Sequence, residues 1–207
     1  MELIKKYTKK IVNPSILDVA TGKGGFLKKL IQFIPSYDLA VGIDSDPVTL
    51  GEAKKNLPNG KLEFIFAEAE KIPFENNSFD LVSMSNALHH VADIEKTLVE
   101  MQRVCKKEGY IIINEMIRDD LNEAQTTFLQ FHDLKCESDQ AKGIRHNKVY
   151  TKEKIIEYTT SAGLHVIEST THFQKNKPIL TAEELKSRLD DVIVGLEHTD
   201  IHDAIKE

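Results

Sequence analysis

Tryptophan is absent from the 207 residues, and cysteine occurs only twice, at Cys105 and Cys136. Two isolated cysteines with no C-x-x-C spacing exclude a disulfide framework and a cysteine-built zinc cage. Such sparing use of the thiol fits a cytoplasmic protein. No apolar run approaches the length that crosses a bilayer, so no membrane span is expected. The opening MELIKKYTKKIVNP is rich in lysine but has no apolar centre, unlike a secretory signal. Charge of one sign is nowhere massed: 27 basic and 33 acidic residues are interspersed and leave a net charge of −6. That balance argues against a broad nucleic-acid footprint. Internal repeats and low-complexity tracts are also missing. At this length the expectation is one domain over residues 1–207.

What the chain does contain is an alternation of short apolar runs with amphipathic ones. Leu3, Ile4, Tyr7 and Ile11 share a helical face, which predicts an N-terminal helix within residues 1–13, broken by Pro14. Ile16–Ala20 reads as a buried strand. Phe26, Leu27, Leu30, Ile31 and Ile34 then recur at helical spacing, and Pro35 stops them. Leu39–Ile43, Leu62–Ala67, Phe79–Met84 and Gly109–Ile113 read as further strands. Asp46 before Pro47, and Asp93, read as helix N-caps between them. Strands alternating with helices predict an α/β, doubly wound, mostly parallel Rossmann-like sheet with helices on both faces. Residues 118–150 break the pattern and read as an insertion or lid, with Leu121, Ala124, Phe128 and Phe131 favouring a helix. Thr151 caps a later helix that Gly163 ends, and Leu164–Glu168 reads as a sixth strand. Thr181 with Glu184 forms a capping-box signature. The stripe from Leu185 to Leu196 follows it, within a helical extension over 175–207. That stripe suits core or a subunit interface, so a homodimer is among the expectations.

Gly22, Gly24 and Gly25 fall within four residues of one another, immediately after the first strand. In a doubly wound sheet, ligands bind at the carboxyl ends of the strands, near the switch in strand order. Gly22 and Gly24 remove side chains there, so a cofactor can lie against bare backbone. The following helix offers its free N–H groups. Asp44 ends the second strand, where a carboxylate can accept both hydroxyls of a ribose. This much suits any adenosine-bearing cofactor. The dinucleotide fingerprint G-x-G-x-x-G is a poor match, because the chain reads A-T-G-K-G-G from Ala20 to Gly25.

Four stretches together carry a closer likeness. LDVATGKGG (17–25) resembles motif I of the class I S-adenosylmethionine-dependent methyltransferases, and VGIDSD (41–46) resembles their second motif. AEAEKIPFENNSFDLVSMSNALHHV (67–91) is similar to the family's stretch between strands three and four. RVCKKEGYIIINE (103–115) is similar to the approach to strand five. The first motif leans toward the ubiquinone/menaquinone methyltransferase-like, small-molecule branch. The resemblance implies methyl transfer from S-adenosylmethionine to a small-molecule acceptor, with S-adenosylhomocysteine as product. It implies that Asp18 helps anchor the methionine ammonium and that Ala20 and Gly22 bring backbone against the methionine. Asp44 would hold the ribose, Ser45 would lie beside the adenine, and Glu68 and Ala69 would read its edge. Ser85 and Asn86 would border the methionine and the transferred methyl. Ala20 stands where glycine is commoner, which predicts a less extreme backbone there, and Lys23 stands where it would crowd or cover the cofactor. The family's seventh strand is not evident. Competing readings are a non-catalytic cofactor-binding module and an NAD-dependent oxidoreductase.

Among the eight histidines, His89 follows the fourth strand, on the edge where ligands bind, and His132 and His146 lie in the insertion. These three are the candidates for a catalytic base, since imidazole titrates near neutrality. His165, His198 and His202 are read as structural, as is Asp80 at the start of the fourth strand. No tight His/Cys/Asp spacing predicts a metal site.

Overall fold

The first helix stops at Thr8, six residues before Pro14, and the chain then enters the centre of a sheet at Ser15. The computed structural model describes residues 2–9, 11–57 and 61–171. These contain α1 (Glu2–Thr8), β1 (Ser15–Val19), α2 (Gly25–Phe33), β2 (Leu39–Asp44), α3 (Pro47–Asn56) and β3 (Leu62–Phe66). They continue with β4 (Phe79–Ser85), α4 (Ile94–Val104), β5 (Cys105–Asn114), α5 (Glu123–Ala141) and α6 (Lys152–Ser161). The described residues fall into two compact units. One runs to Glu115 and includes Tyr158–Leu164; the other holds Met116–Glu157 and the residues from His165 onward.

The first unit carries the sheet, in the order β3-β2-β1-β4-β5, with every neighbouring pair parallel. β1 therefore lies beside both β2 and β4, which is where the strand order switches. Its interior explains the short apolar runs: Ile16, Leu17, Val19, Val41, Ile43, Leu81 and Val82 are fully buried. Strands covered on both sides need no polar alternation. Helix starts follow the expected chemistry. Asp46 accepts the Val48 amide, with Pro47 at the first helical position, and Asp93 accepts the Lys96 amide. Asp80 closes the amino edge, accepting the Ser15 amide and the Lys106 ammonium, each at 2.9 Å. Its structural reading holds.

Two strands differ from expectation. β5 starts at Cys105, directly after α4, because its register shifts: Phe79 pairs with Cys105 and Leu81 with Tyr110. Leu164–Glu168 forms no strand, so His165 lies in none; the apolar LHVIE run has no ladder partner among the described residues and Ile167 is 60% exposed.

The second unit is built on α5. Asn122 and Gln125 form a capping box at its start. Arg118 bridges Asp133 at 3.0 Å and donates to the Val149 carbonyl at 3.3 Å, fixing the flanking segments to the helix. Thr151 Oγ1 accepts the Lys154 amide in the first turn of α6, and Gly163, at φ +82°, follows its end. The PNG turn at 58–60, the Thr181–Glu184 capping box, the Leu185–Leu196 stripe, His198 and His202 lie outside the described residues.

Candidate active site

The turn after β1 is shaped by main chain. Ala20, Gly22 and Gly24 have φ of +52°, +54° and +78°, all in the left-handed region. The expectation of a relaxed backbone at Ala20 is therefore overturned: the turn imposes this conformation whichever residue stands there. A side chain at Gly22 would enter open space, since nothing lies within 4 Å of where its Cβ would be. At Gly24 a Cβ would meet Leu57 Cδ1 at 2.8 Å, so that glycine also answers to packing. Gly24 is the N-cap of α2 and supplies no side-chain cap. Of the first-turn amides of α2, that of Leu27 bonds to the buried Asp18 carboxylate, and Gly24 offers no side-chain acceptor to the others, an arrangement that favours negative or electron-rich groups.

Asp44 reaches across from the end of β2. Its Oδ2 accepts the Gly22 amide at 2.7 Å and its Oδ1 the Asp46 amide at 2.9 Å. A carboxylate has about four acceptor positions, so about two remain for a vicinal diol. Ser45 beside it is exposed. Lys23 is drawn to Glu52 on α3 at 2.8 Å, with both side chains solvent-accessible.

Asp18 is 1% exposed. Its carboxylate accepts the Thr21 hydroxyl at 2.7 Å and the Ser83 hydroxyl at 2.6 Å. Burial pushes this carboxyl up to about 6, against the pull of the Ser83 and Thr21 hydroxyls. Thr21 and Ser83 were not singled out from sequence. Ser83 meets Asp18 only through the β1–β4 register, which no local pattern in the sequence announces.

Beyond β3 and β4 two loops complete the edge. Glu68 is exposed and Ala69 buried. Their loop is fastened by Arg103, which donates to the carbonyls of Ile72 and Phe74 at 2.8 and 2.7 Å and to Glu100. Ser85 accepts from Asn114 at 2.8 Å. Asn86 is exposed at φ +50°, its amide bonded to the Asn114 carbonyl. Buried His89 lies over His90, with ring centroids 4.2 Å apart. Its Nδ1 is 3.2 Å from Glu115, whose other oxygen accepts the Leu88 amide.

His132 and His146 meet within the second unit. Their Nε2 atoms are 3.3 Å apart and their rings stand at 87°. His146 Nδ1 lies 2.7 Å from Asp139, which also pairs with Lys135. Burial opposes ionisation of Asp139, yet Lys135 and His146 hold its carboxyl below the usual range. Cys136 Sγ lies 3.4 Å from His132 Nδ1, and burial pushes that thiol up to about 11.

Residues 17–113, running from β1 into β5, match a family described as a methyltransferase domain. This segment belongs to the class I methyltransferase family. Demethylmenaquinone methyltransferase of Thermotoga maritima is 35% identical to this chain over 107 residues, covering 51% of this chain and 45% of that protein. The chain spans about half the length of the curated relatives it matches. Among solved structures, the YcgJ protein of Bacillus subtilis shares the fold at a TM-score of 0.66 and 21% identity, over 97% of this chain and 85% of that one. The [4+2]-cyclase SpnF shares it at 0.67 and 16% identity, over 94% of this chain and 66% of that one. The overall fold is thus a recurring one.

Proposed function

We propose that the chain transfers a methyl group from S-adenosylmethionine to a small-molecule acceptor and releases S-adenosylhomocysteine. One observation carries the reading: the side-chain-free turn at Gly22 is held open by the carboxylate of Asp44, where the strand order switches. These residues fit the cofactor. Asp44 has acceptor capacity left for the ribose hydroxyls, Ser45 would lie beside the adenine, and Glu68 and Ala69 on the next loop would read its edge. Ala20, Gly22 and Gly24 present main chain toward the methionine portion, Asp18 supplies negative charge beneath it, and Ser85 and Asn86 border it.

The cofactor supplies an already activated methyl. The chain's share is to bind, to orient the acceptor in line and to exclude water. A base is needed only where the acceptor loses a proton during attack, and His89, His132 and His146 are its candidates. Two buried, unpaired cysteines fit a cytoplasmic setting. No described helix is long and apolar enough to cross a membrane.

Calorimetric titration with S-adenosylmethionine and S-adenosylhomocysteine tests the binding half. Radiolabelled methyl transfer over naphthoquinols, phenols, amines and thiols tests the chemistry, the quinols being suggested by the Thermotoga relative's name. Absence of binding to either ligand overturns the proposal. Tight binding without turnover across the panel would favour the second reading, a non-catalytic cofactor-binding module; that a protein named as a cyclase shares the fold keeps fold and activity separate. An NAD-dependent oxidoreductase would instead change nicotinamide absorbance, and the A-T-G-K-G-G spacing speaks against it. Sedimentation would test a homodimer.

A further inference from the structure

The second unit assembles two of the base candidates into a group whose arrangement methyl transfer does not require. His132, Cys136 and Asp139 recur on one face of α5 at helical spacing. The chain then reverses at Gly143, φ +74°, and returns over that face. The return is fixed: the Ile144 amide donates to the Asp139 carbonyl at 2.8 Å, and Gln140 donates to the His146 carbonyl at 2.7 Å. This delivers the His146 ring to the His132 ring.

The separation of the two rings is informative. An ion about 2.0–2.1 Å from each of two nitrogens, at a tetrahedral angle, holds those nitrogens about 3.3 Å apart. His132 Nε2 and His146 Nε2 are 3.3 Å apart. The approach is oblique: nitrogens aimed head-on at that distance would put the ring centroids farther apart than the observed 4.9 Å. Each ring also has a partner for its other nitrogen. Asp139, 6% exposed, accepts from His146 Nδ1 at 2.7 Å, which leaves the lone pair on Nε2. This is the carboxylate–histidine support that metal-binding imidazoles use. His132 Nδ1 faces Cys136 Sγ at 3.4 Å, and Cys136 in turn reaches the Asn147 carbonyl at 3.3 Å.

We infer that His132 and His146 form a site for a divalent transition-metal cation of the zinc type, with Asp139 orienting one ligand. Two imidazoles leave the rest of a tetrahedral shell open to water or to an oxygen or nitrogen donor of a bound molecule. An ion held there would withdraw both imidazoles from service as bases. The sequence hides the site because its two ligands stand fourteen residues apart, one on a helix and one on a loop.

The test does not depend on the cofactor. The full chain is stripped of metal and titrated with Zn²⁺ by calorimetry and with Co²⁺ by visible absorption, while S-adenosylhomocysteine binding is measured separately. The expected result is saturable uptake of one ion per chain. His132→Ala and His146→Ala should abolish it, and Asp139→Asn should weaken it about 10–100-fold. No saturable uptake, or uptake that survives both histidine substitutions, overturns the assignment, whatever the cofactor titration gives. If a variant loses its helical circular dichroism, the wild-type chain decides alone. In long-range nitrogen–proton spectra, Zn²⁺ should shift two imidazole Nε2 resonances, and unmoved resonances mean that the rings only bond to each other.

Discussion

The carboxylate of Asp44 accepts the Gly22 amide at 2.7 Å, so the end of β2 sets the conformation of the turn after β1. Asp44→Ala removes that tether and the acceptor for a ribose together. Losing hydrogen bonds to a charged group costs about 1.5–3 kcal/mol. Calorimetry should therefore show cofactor affinity falling roughly 10–100-fold, and an unchanged affinity would separate Asp44 from binding.

Backbone handedness gives a second expectation. A left-handed residue with a side chain costs about 1–2 kcal/mol. Gly22→Ala should lose about that much in urea unfolding, without a steric component. Ala20→Gly should lose nothing, because the strain at φ +52° is already present and glycine relieves it. A clear destabilisation by Ala20→Gly would contradict this account of the turn.

Asp18 links stability to pH. The folded chain holds the proton up to about 6, against an ordinary value of 3.8. The native state therefore binds more protons between those values, so the stabilisation is complete in acid and is lost as pH rises through about 6. The interval corresponds to about 3 kcal/mol. Relative to the wild type, Asp18→Asn should gain up to that amount between about pH 4 and pH 7. In that variant the Ser83 hydroxyl can turn to the Leu17 carbonyl, 3.3 Å away. Cofactor affinity should move the opposite way, falling in acid as the carboxylate that would balance an ammonium becomes neutral. Parallel stability curves for the two proteins would show that Asp18 is not ionising here.

Arg103 should matter although it touches no proposed ligand position. It is 2.7 Å from Glu100 and holds the Ile72 and Phe74 carbonyls, and Glu100 accepts the Ile72 amide. Arg103→Ala should cost about 1–3 kcal/mol. Hydrogen exchange should quicken over residues 70–78 more than in β1. Uniform acceleration would indicate a general packing role instead.

Much of this fold was legible because its signals are local. Apolar runs of strand length gave all five strands of the sheet, and Asp46, Asp93 and Thr151 marked helix starts through chemistry confined to one turn. LHVIE misled for the same reason: apolar composition cannot show whether a neighbouring strand exists to accept its amides. The backbone at Ala20 was misread because a left-handed turn was inferred from glycine alone. Asp44 at the end of β2 could be placed from order. The Thr21 and Ser83 bonds to Asp18, the Glu115 contact of His89 and the Arg103 clasp could not, because each joins residues that only strand register or loop return brings together.

Two neighbouring strands stop in the same manner. β1 gives way to Ala20 at φ +52° and β4 to Asn86 at φ +50°, within about one residue of the same level, since Val19 pairs with Met84. Left-handed residues at nearly one level turn both chains, the Asp44 carboxylate also tethering the first turn. The opening between the two strand ends thus depends on main-chain dihedral angles at positions 20 and 86, which a change of side chain elsewhere around it would leave in place.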